Sequence, residues 1–497
     1  MSLDRLTELI AAGSPSAPDA DEHANGIRDA IKGIFGQRYR ADTRYSDRVV
    51  YMPGRDAVSF AGLLHEDSPT SGVYGGASLI WFPVEPADDQ PATSLLTFVC
   101  GTRGLAPDEH ILGRAGHARH LQALKRYLSI TSGTYVWVKQ DPTDLGQPIP
   151  RIVRDRFPRY SSVFSRYGNF IYAAAEVPTD LDAARHMVSA FLDFYAWERE
   201  WRPLKSASQQ VEELKAQLRA HLFPRIDIDQ LYALLRQRRF LILQGPPGTG
   251  KTRLALEVLS TFFDDKGMAV QFHPAISYEN FVSGISPDIS KGQLSFDIKH
   301  GWLVEAAERA QGNDYLLLID EINRADLGRV LGEAIYLFEA ADISQGKSRT
   351  ISLPNTRDGT GKAFSLPDTL YVVGTMNSAD RSIALLDLAV RRRFAFVDVW
   401  PDLDVIRKQG LPLATDAFSR LLDIFAQFAS DEALVLIPGH ALFIAQSEQE
   451  LRNRLRFEVM PLLREYLTEG RLGSCETELR AYLDWLEGQL MHAHLAE

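Results

Sequence analysis

The residues with the clearest chemistry lie between 239 and 252, Arg-Phe-Leu-Ile-Leu-Gln-Gly-Pro-Pro-Gly-Thr-Gly-Lys-Thr. Gly245, Gly248 and Gly250 let backbone N–H groups turn inward around a polyphosphate, and Pro246, Pro247 and Thr249 complete the loop. Lys251 supplies a point charge at the β and γ phosphates, and Thr252 offers a hydroxyl to Mg2+. The apolar run from Phe240 to Leu243 reads as a buried strand entering the loop, and Arg253 to Phe263 reads as the helix leaving it. An ordinary tight loop is the alternative, but it requires a chance match to the full eight-residue pattern in the right strand-and-helix setting.

Three later stretches offer partners for such a loop. Tyr315 to Ile319 is a five-residue apolar run ending in Asp320 and Glu321, as a buried parallel strand does at its ligand-bearing end. Asp320 is placed to reach the water shell of Mg2+, and Glu321 to polarise an attacking water as general base. A further strand, Thr369 to Gly374, ends in Thr375-Met-Asn-Ser-Ala-Asp-Arg-Ser. Asn377 at that strand end is a candidate to orient the lytic water, and Asp380 and Arg381 to act across a subunit boundary. Leu385 to Val390 then leads into Arg391-Arg392-Arg393-Phe394. Arginines there are either a solvated turn or a finger on the rim of the nucleotide domain, reaching a neighbour's nucleotide; the finger is favoured.

The elements that must position these groups set the scale of the chain. Its 497 residues suggest about three domains at roughly 150 residues each. Composition is that of a globular protein, 45% hydrophobic and 24% charged. A net charge of −11 argues against a surface coated in basic residues for nucleic acid, though it permits a local basic groove. Two distant cysteines, Cys100 and Cys475, fit a reducing compartment without a disulfide framework. Charges interrupt the N-terminal apolar stretch, and no apolar run approaches the ~18 residues of a spanning helix. The expectation is a cytoplasmic protein with no membrane partner.

Four regions are expected: an α+β domain over 1–200, a helical connector over 201–224, an α/β nucleotide domain over 225–400 and a helical lid over 401–497. In the first, helices are predicted at Leu3 to Ala12, Asn25 to Phe35 and Asp180 to Trp201. Strands are predicted at Val49 to Met52, Ala77 to Val84, Ser94 to Val99, Thr134 to Lys139 and Phe170 to Ala175. Asp108, Glu109, His110, His117 and His120 match no standard zinc spacing, and a solvated helix face is the favoured reading. Arg151, Arg154, Arg156 and Arg159 interleave with aromatics including Tyr160. Arginines hold phosphates and rings stack on unpaired bases, so this stretch is a nucleic-acid candidate against the alternative of a surface helix with an aromatic underside.

Ser206 to Ala220 reads as the connecting helix, and His221 to Arg236 as a helix with an N-cap at Asp227 or Asp229. Ala269 to Phe272 reads as a strand between the loop and the acidic strand. Ser283 to Gly301 and Ser344 to Phe364 read as inserted hairpins, the second with turn residues at Asn355 and Asp358-Gly359. Beyond residue 401, helical periodicity at Phe418 to Phe428 and Leu451 to Tyr466 indicates the lid, and His440 is either a group near the phosphates or a packed lid histidine.

The phosphate loop, Asp320-Glu321, Asn377 and the Arg391 to Arg393 cluster together resemble a ring-forming AAA+ ATPase. Phe272-His273, Ser277-Tyr278-Glu279-Asn280-Phe281, Asp320-Glu321-Ile322-Asn323-Arg324-Ala325, Met376-Asn377-Ser378-Ala379-Asp380-Arg381-Ser382 and Gly439-His440-Ala441-Leu442-Phe443 narrow the resemblance to the McrB family. It spans roughly 225–470 and leaves the first 200 residues unassigned. It implies that Lys251 and Thr252 hold nucleotide and Mg2+, Asp320 the metal and Glu321 the water. It makes Asn377 a sensor, Asp380 and Arg381 part of a signature loop, and Arg391 or Arg392 a finger acting in trans. It also implies a self-assembled ring, expected as a hexamer, and a separate McrC-like nuclease subunit. The N-terminal domain would then recognise foreign or modified DNA. The base, ATP or GTP, stays open. The alternative is a MoxR-like remodelling ATPase acting on protein partners, supported by 21 basic against 25 acidic residues in 1–200. No nuclease motif of the chain's own is evident.

Overall fold

The computed structural model describes residues 2–13, 20–40, 49–52, 58–65, 68, 74–86, 91–288, 295–353, 361–380, 386 and 388–491. Contacts divide the chain into two units, Met1–Phe223 with Ala426–Ser430, and Pro224–Phe425 with Asp431–Glu497.

The second unit is built on five parallel strands in the order Gly267–Gln271, Tyr315–Asp320, Leu370–Asn377, Phe240–Gly245, Ala395–Asp398. Apolar runs form these strands because helices cover both faces. Ile242, Leu317 and Val372 face one core, while Leu241, Leu243, Leu316, Leu318 and Val373 face the other. The edge strand Ala395–Asp398 was not anticipated. It is four residues long and follows directly on the arginine cluster, so charge hides it in the sequence.

The helix before the phosphate loop begins at Ile228, not His221; Asp227 closes a capping box with Gln230, accepting the Gln230 N–H at 2.7 Å. Both inserted hairpins are present: Ser283–Asp288 pairs antiparallel with Ser295–His300, and Ile351–Leu353 with Lys362–Phe364. Asn355 and Asp358-Gly359 lie outside the described residues. The lid contains Leu403–Lys408, Pro412–Phe428, Glu448–Arg454, Met460–Thr468 and Glu476–Met491. Its core is aliphatic and aromatic, with Phe418, Leu421, Phe443, Leu455, Leu463 and Leu486 fully buried. A single π-turn, Leu455–Val459, interrupts the periodic stretch after Leu451.

The first unit is α+β. Its sheet has six antiparallel strands in the order Val49–Met52, Phe60–Leu63, Ala77–Val84, Thr93–Cys100, Ile171–Glu176, Val136–Val138. Alternation decides which face each residue joins. Leu79, Trp81, Leu96 and Phe98 meet the helices Ala20–Gln37, Ala115–Ser132 and Leu181–Glu198, while Ile80, Phe82, Leu95 and Val99 meet Arg151–Arg156 and Ser161–Tyr167. Because both faces are covered, Ala77–Val84 and Thr93–Cys100 are buried along nearly their whole length, including Ser78, Ser94 and Thr97.

The strand Phe60–Leu63 was not foreseen. Gly62 weakens its signal, and the close strand pairing explains the glycine: a Cβ there would lie 2.2 Å from Leu79 O. The helix Ser208–Leu222, expected as a connector, contributes Val211, Leu214 and Leu218 to this unit's core. Among the described residues no helix is long and apolar enough to cross a membrane.

Candidate functional site

The strand Phe240–Gly245 delivers the chain into a loop whose backbone only glycine adopts without strain. Gly248 and Gly250 have φ of +74° and +79°, and Gly250 caps the helix Lys251–Phe262 in the left-handed region. That helix directs its first N–H groups and the positive end of its dipole at the loop. Thr249, 3% exposed, braces the turn by donating to Pro246 O at 3.0 Å. Lys251 Nζ donates to Gly245 O at 3.0 Å and Pro246 O at 2.7 Å. Burial pulls the Lys251 ammonium down to about 8, against the opposing pull of Asp320 and Glu321.

Three neighbouring strands bring the acidic groups to this loop. Leu370–Asn377 lies between the strand of the phosphate loop and the strand ending in Asp320, with Asn377 paired to Gly245 in register. Thr252 Oγ1 donates to Asp320 Oδ1 at 2.7 Å, and Thr375 Oγ1 donates to the same oxygen at 2.6 Å. A hydroxyl and a carboxylate oxygen this close are hard ligands of the type Mg2+ takes, so the residues present fit that ion. When bound it would neutralise phosphate charge.

Glu321 occupies the left-handed region at φ +53°, ψ +46°. A glutamate in that conformation costs about 1–3 kcal/mol and persists only when its surroundings fix it. They do so here through the Glu321 N–H, donated to Thr375 Oγ1 at 3.1 Å, and the Glu321 carbonyl, accepting Arg324 N–H at 2.8 Å.

Asn377 sits at the end of its strand, its Oδ1 accepting Ala379 N–H at 3.1 Å. Its carbonyl accepts from Asn323 Nδ2 at 3.3 Å, which ties together the turns after Tyr315–Asp320 and Leu370–Asn377. Asp380 follows two residues beyond Ser378, whose N–H donates to Gly245 O at 3.0 Å. Arg381 lies outside the described residues.

The lid segment carrying His440 runs against the phosphate loop. Gly439 N–H donates to Pro247 O and Ala441 N–H to Gly248 O, both at 2.9 Å. His440 Nδ1 accepts Asp402 N–H at 3.1 Å, which leaves the proton of the neutral ring on Nε2. Nε2 lies 3.5 Å from where a Cβ on Gly250 would stand. Burial holds the His440 imidazolium below its ordinary range, partly offset by Asp402.

The three arginines separate. Arg393 is 8% exposed and donates to Ala389 O at 2.9 Å, a structural role within its own helix. Arg391 and Arg392 are exposed, the first over Phe396 at 5.5 Å and the second 3.8 Å from Glu339.

Sequence reasoning missed Thr375, the hydroxyl that joins Asp320 to Glu321, since a threonine at a strand end is commonplace. It also missed Arg471, which donates to Ala379 O at 2.7 Å from the far end of the lid.

In the first unit two readings are corrected. His117 and His120 do not lie on a solvated face: they are 2% and 1% exposed, and their Nδ1 atoms meet the two oxygens of Glu198 at 2.8 and 2.9 Å. Asp108 is likewise buried, paired with Arg199 at 2.6 Å. Among the described residues no group of three or more His, Cys, Asp and Glu is arranged to hold a metal.

Tyr160 offers no stacking face, because it is fully buried and its hydroxyl donates to Glu176 Oε1 at 3.2 Å. Phe157 and Phe164 are 4% and 3% exposed in the same core. The buried rings serve the sheet, while Arg151, Ile152, Arg154, Asp155 and Arg156 face outward. Arg151 is 93% exposed, Arg154 Nε donates to Ile149 O, Arg156 lies over Tyr135 at 5.6 Å, and Arg159 donates to Pro91 O and Glu85 O.

Comparison with known proteins agrees with this geometry. The family described as AAA domain (dynein-related subfamily) matches residues 240–394. The type IV methyl-directed restriction enzyme EcoKMcrB subunit of Escherichia coli is 29% identical over 350 residues, 64% of this chain and 75% of that protein. The type II restriction enzyme BsuMI component YdiS of Bacillus subtilis is 24% identical over 189 residues, 31% of this chain and 55% of that one. An uncharacterized Escherichia coli protein, YehL, is 26% identical over 204 residues, 39% and 50% of the two chains. Residues 240–394 are an AAA domain, and the chain is similar to a McrB restriction subunit.

Proposed function

We propose that this chain is the Mg2+-dependent, ATP- or GTP-hydrolysing motor subunit of a restriction system. The observation that carries the reading is the convergence of Lys251 and Thr252, which open the helix after the phosphate loop, with Asp320 and Glu321 from the parallel strand on the far side of Leu370–Asn377, Thr252 standing 2.7 Å from Asp320. In this reading Lys251 and the loop amides hold the phosphates, Glu321 polarises the attacking water and Asn377 orients it. Asp380 and Arg381 belong to the signature loop, and His440 donates toward the phosphates from the lid. Exposed Arg391 or Arg392 completes the site of a neighbouring copy in a ring of six. A separate McrC-like nuclease cuts the DNA, the first unit recognises foreign or modified DNA, and the assembly works in the cytoplasm as an anti-phage device.

Two observations favour a second reading, a MoxR-like ATPase that remodels proteins. The first 200 residues carry slightly more acidic than basic groups, and the rings expected to stack on bases are in the core.

One experiment separates them: titration of the full chain with duplex DNA, unmodified and cytosine-modified, across a salt series, with nucleotide turnover followed in parallel. Saturable binding that prefers modified DNA and weakens as salt rises is the expected result. Turnover without DNA binding at low salt would favour the protein-remodelling reading.

A further inference from the structure

Arg324 lies on the turn Ile322–Arg324 directly after the acidic strand end. Its Nε stands 2.5 Å from Glu321 Oε2, with 47% of the Arg324 side chain and 29% of the Glu321 side chain exposed. The contact falls outside hydrogen-bond angles, since Oε2 has no hydrogen-bond partner among the described residues. The pair is therefore held by charge rather than by directional bonding. Its backbone is fixed: the Glu321 carbonyl accepts Arg324 N–H at 2.8 Å, and the Glu321 N–H is tied to Thr375. The two side chains alone are free to part.

A carboxylate acts as general base only if water can reach its oxygen, and a guanidinium standing against that oxygen occupies the place the water must take. Asp320, by contrast, is held by Thr252 and Thr375, two neutral hydroxyls, and stays available to a cation. The charged groups near Glu321 are thus divided. Lys251 faces it across the phosphate loop, and Arg324 covers it from its own turn.

We propose that Arg324 is a positioning residue that latches Glu321, and that opening of this ion pair is a required step before water is activated. The inference rests on the nucleotide-hydrolysis reading above and assigns Arg324 no contact with nucleotide. In the latched state the phosphate loop is fully formed, so nucleotide binds; turnover waits on rotation of the Arg324 side chain into solvent, to which it is already half exposed.

The test is steady-state hydrolysis by the full-length chain carrying Arg324→Ala or Arg324→Lys, with thermal unfolding as a check on folding. Wild type and Glu321→Gln are run alongside. The latch predicts that Arg324→Ala raises kcat about 2- to 5-fold with KM and nucleotide Kd unchanged, since an exposed ion pair is worth about 1 kcal/mol or less. Arg324→Lys retains a cation and should stay near wild type. A fall or no change in kcat in a folded Arg324→Ala protein overturns the latch. Absence of turnover in wild type itself would instead overturn the hydrolysis reading, so the two failures are told apart.

Discussion

One hydroxyl joins the Asp320 carboxylate to the Glu321 backbone: Thr375 Oγ1 donates to Asp320 Oδ1 at 2.6 Å while accepting the Glu321 N–H at 3.1 Å. Thr375 belongs to the strand between the phosphate loop and the acidic strand, so it registers Asp320 and Glu321 against each other. Thr375→Val keeps the shape and deletes both bonds. Losing a hydrogen bond to a charged group costs about 1.5–3 kcal/mol, so kcat should fall about 10- to 100-fold. Thr375→Ser should restore most of it. Single-turnover and nucleotide-binding measurements check this, and an unchanged kcat in the valine variant would remove Thr375 from the site.

Lys251 gives a prediction with a sign. Burial lowers its ammonium to about 8, and a bound polyphosphate favours the charged form. At pH 9 the free protein holds Lys251 mostly neutral, so nucleotide binding should take up close to one proton, roughly 0.9 on a one-unit difference. Calorimetry in buffers of different ionisation enthalpy measures the uptake directly. Affinity should also weaken as pH rises above about 8. Lys251→Ala should abolish the proton uptake; uptake that persists would place the titration elsewhere.

Gly439 tests the approach of the lid to the phosphate loop. A Cβ at Gly439 would lie 2.1 Å from Gly248 C and 2.5 Å from Pro247 O, both backbone atoms that cannot swing aside. Gly439→Ala should therefore cost about 1–3 kcal/mol, felt as lower thermal stability and roughly 5- to 100-fold weaker nucleotide binding. Binding titration and thermal unfolding read the two effects. Unchanged affinity would mean that the segment Gly439–Ala441 yields without disturbing the loop.

Glu198 holds the first unit together around its two histidines. Burial alone would raise its carboxyl, but His117 and His120 outweigh burial and keep it well below the ordinary 4.5. A carboxyl lowered on folding adds stability that is present above about pH 4.5 and is lost as pH falls below it. Glu198→Gln should destabilise the protein by about 3 kcal/mol at neutral pH, the cost of breaking a buried charged cluster. It should also flatten the dependence of Tm on pH below about 4.5. Thermal unfolding across an acid series is the check.

What the sequence by itself determined was local: the phosphate loop between an apolar strand and a helix, the acidic strand end, the strand ending at Asn377, and the helical lid. Each is written in contiguous residues whose periodicity and turn chemistry need no partner to be recognised. Elements whose identity depends on a neighbour were not readable. Phe60–Leu63 is a strand because Gly62 lets Leu79 approach, and Ala395–Asp398 because it pairs with Leu241 to Gln244. The same holds for side chains. Tertiary structure alone decided that Tyr160 is core and not a stacking platform, that His117 and His120 share one carboxylate, and that Arg393 is buried while Arg391 and Arg392 are exposed. It alone set Thr375 between the Asp320 carboxylate and the Glu321 amide, and Arg324 against the Glu321 carboxylate. The physical reason is that sequence spacing fixes which face of an element a residue occupies, whereas burial and pairing depend on what the rest of the fold lays against that face.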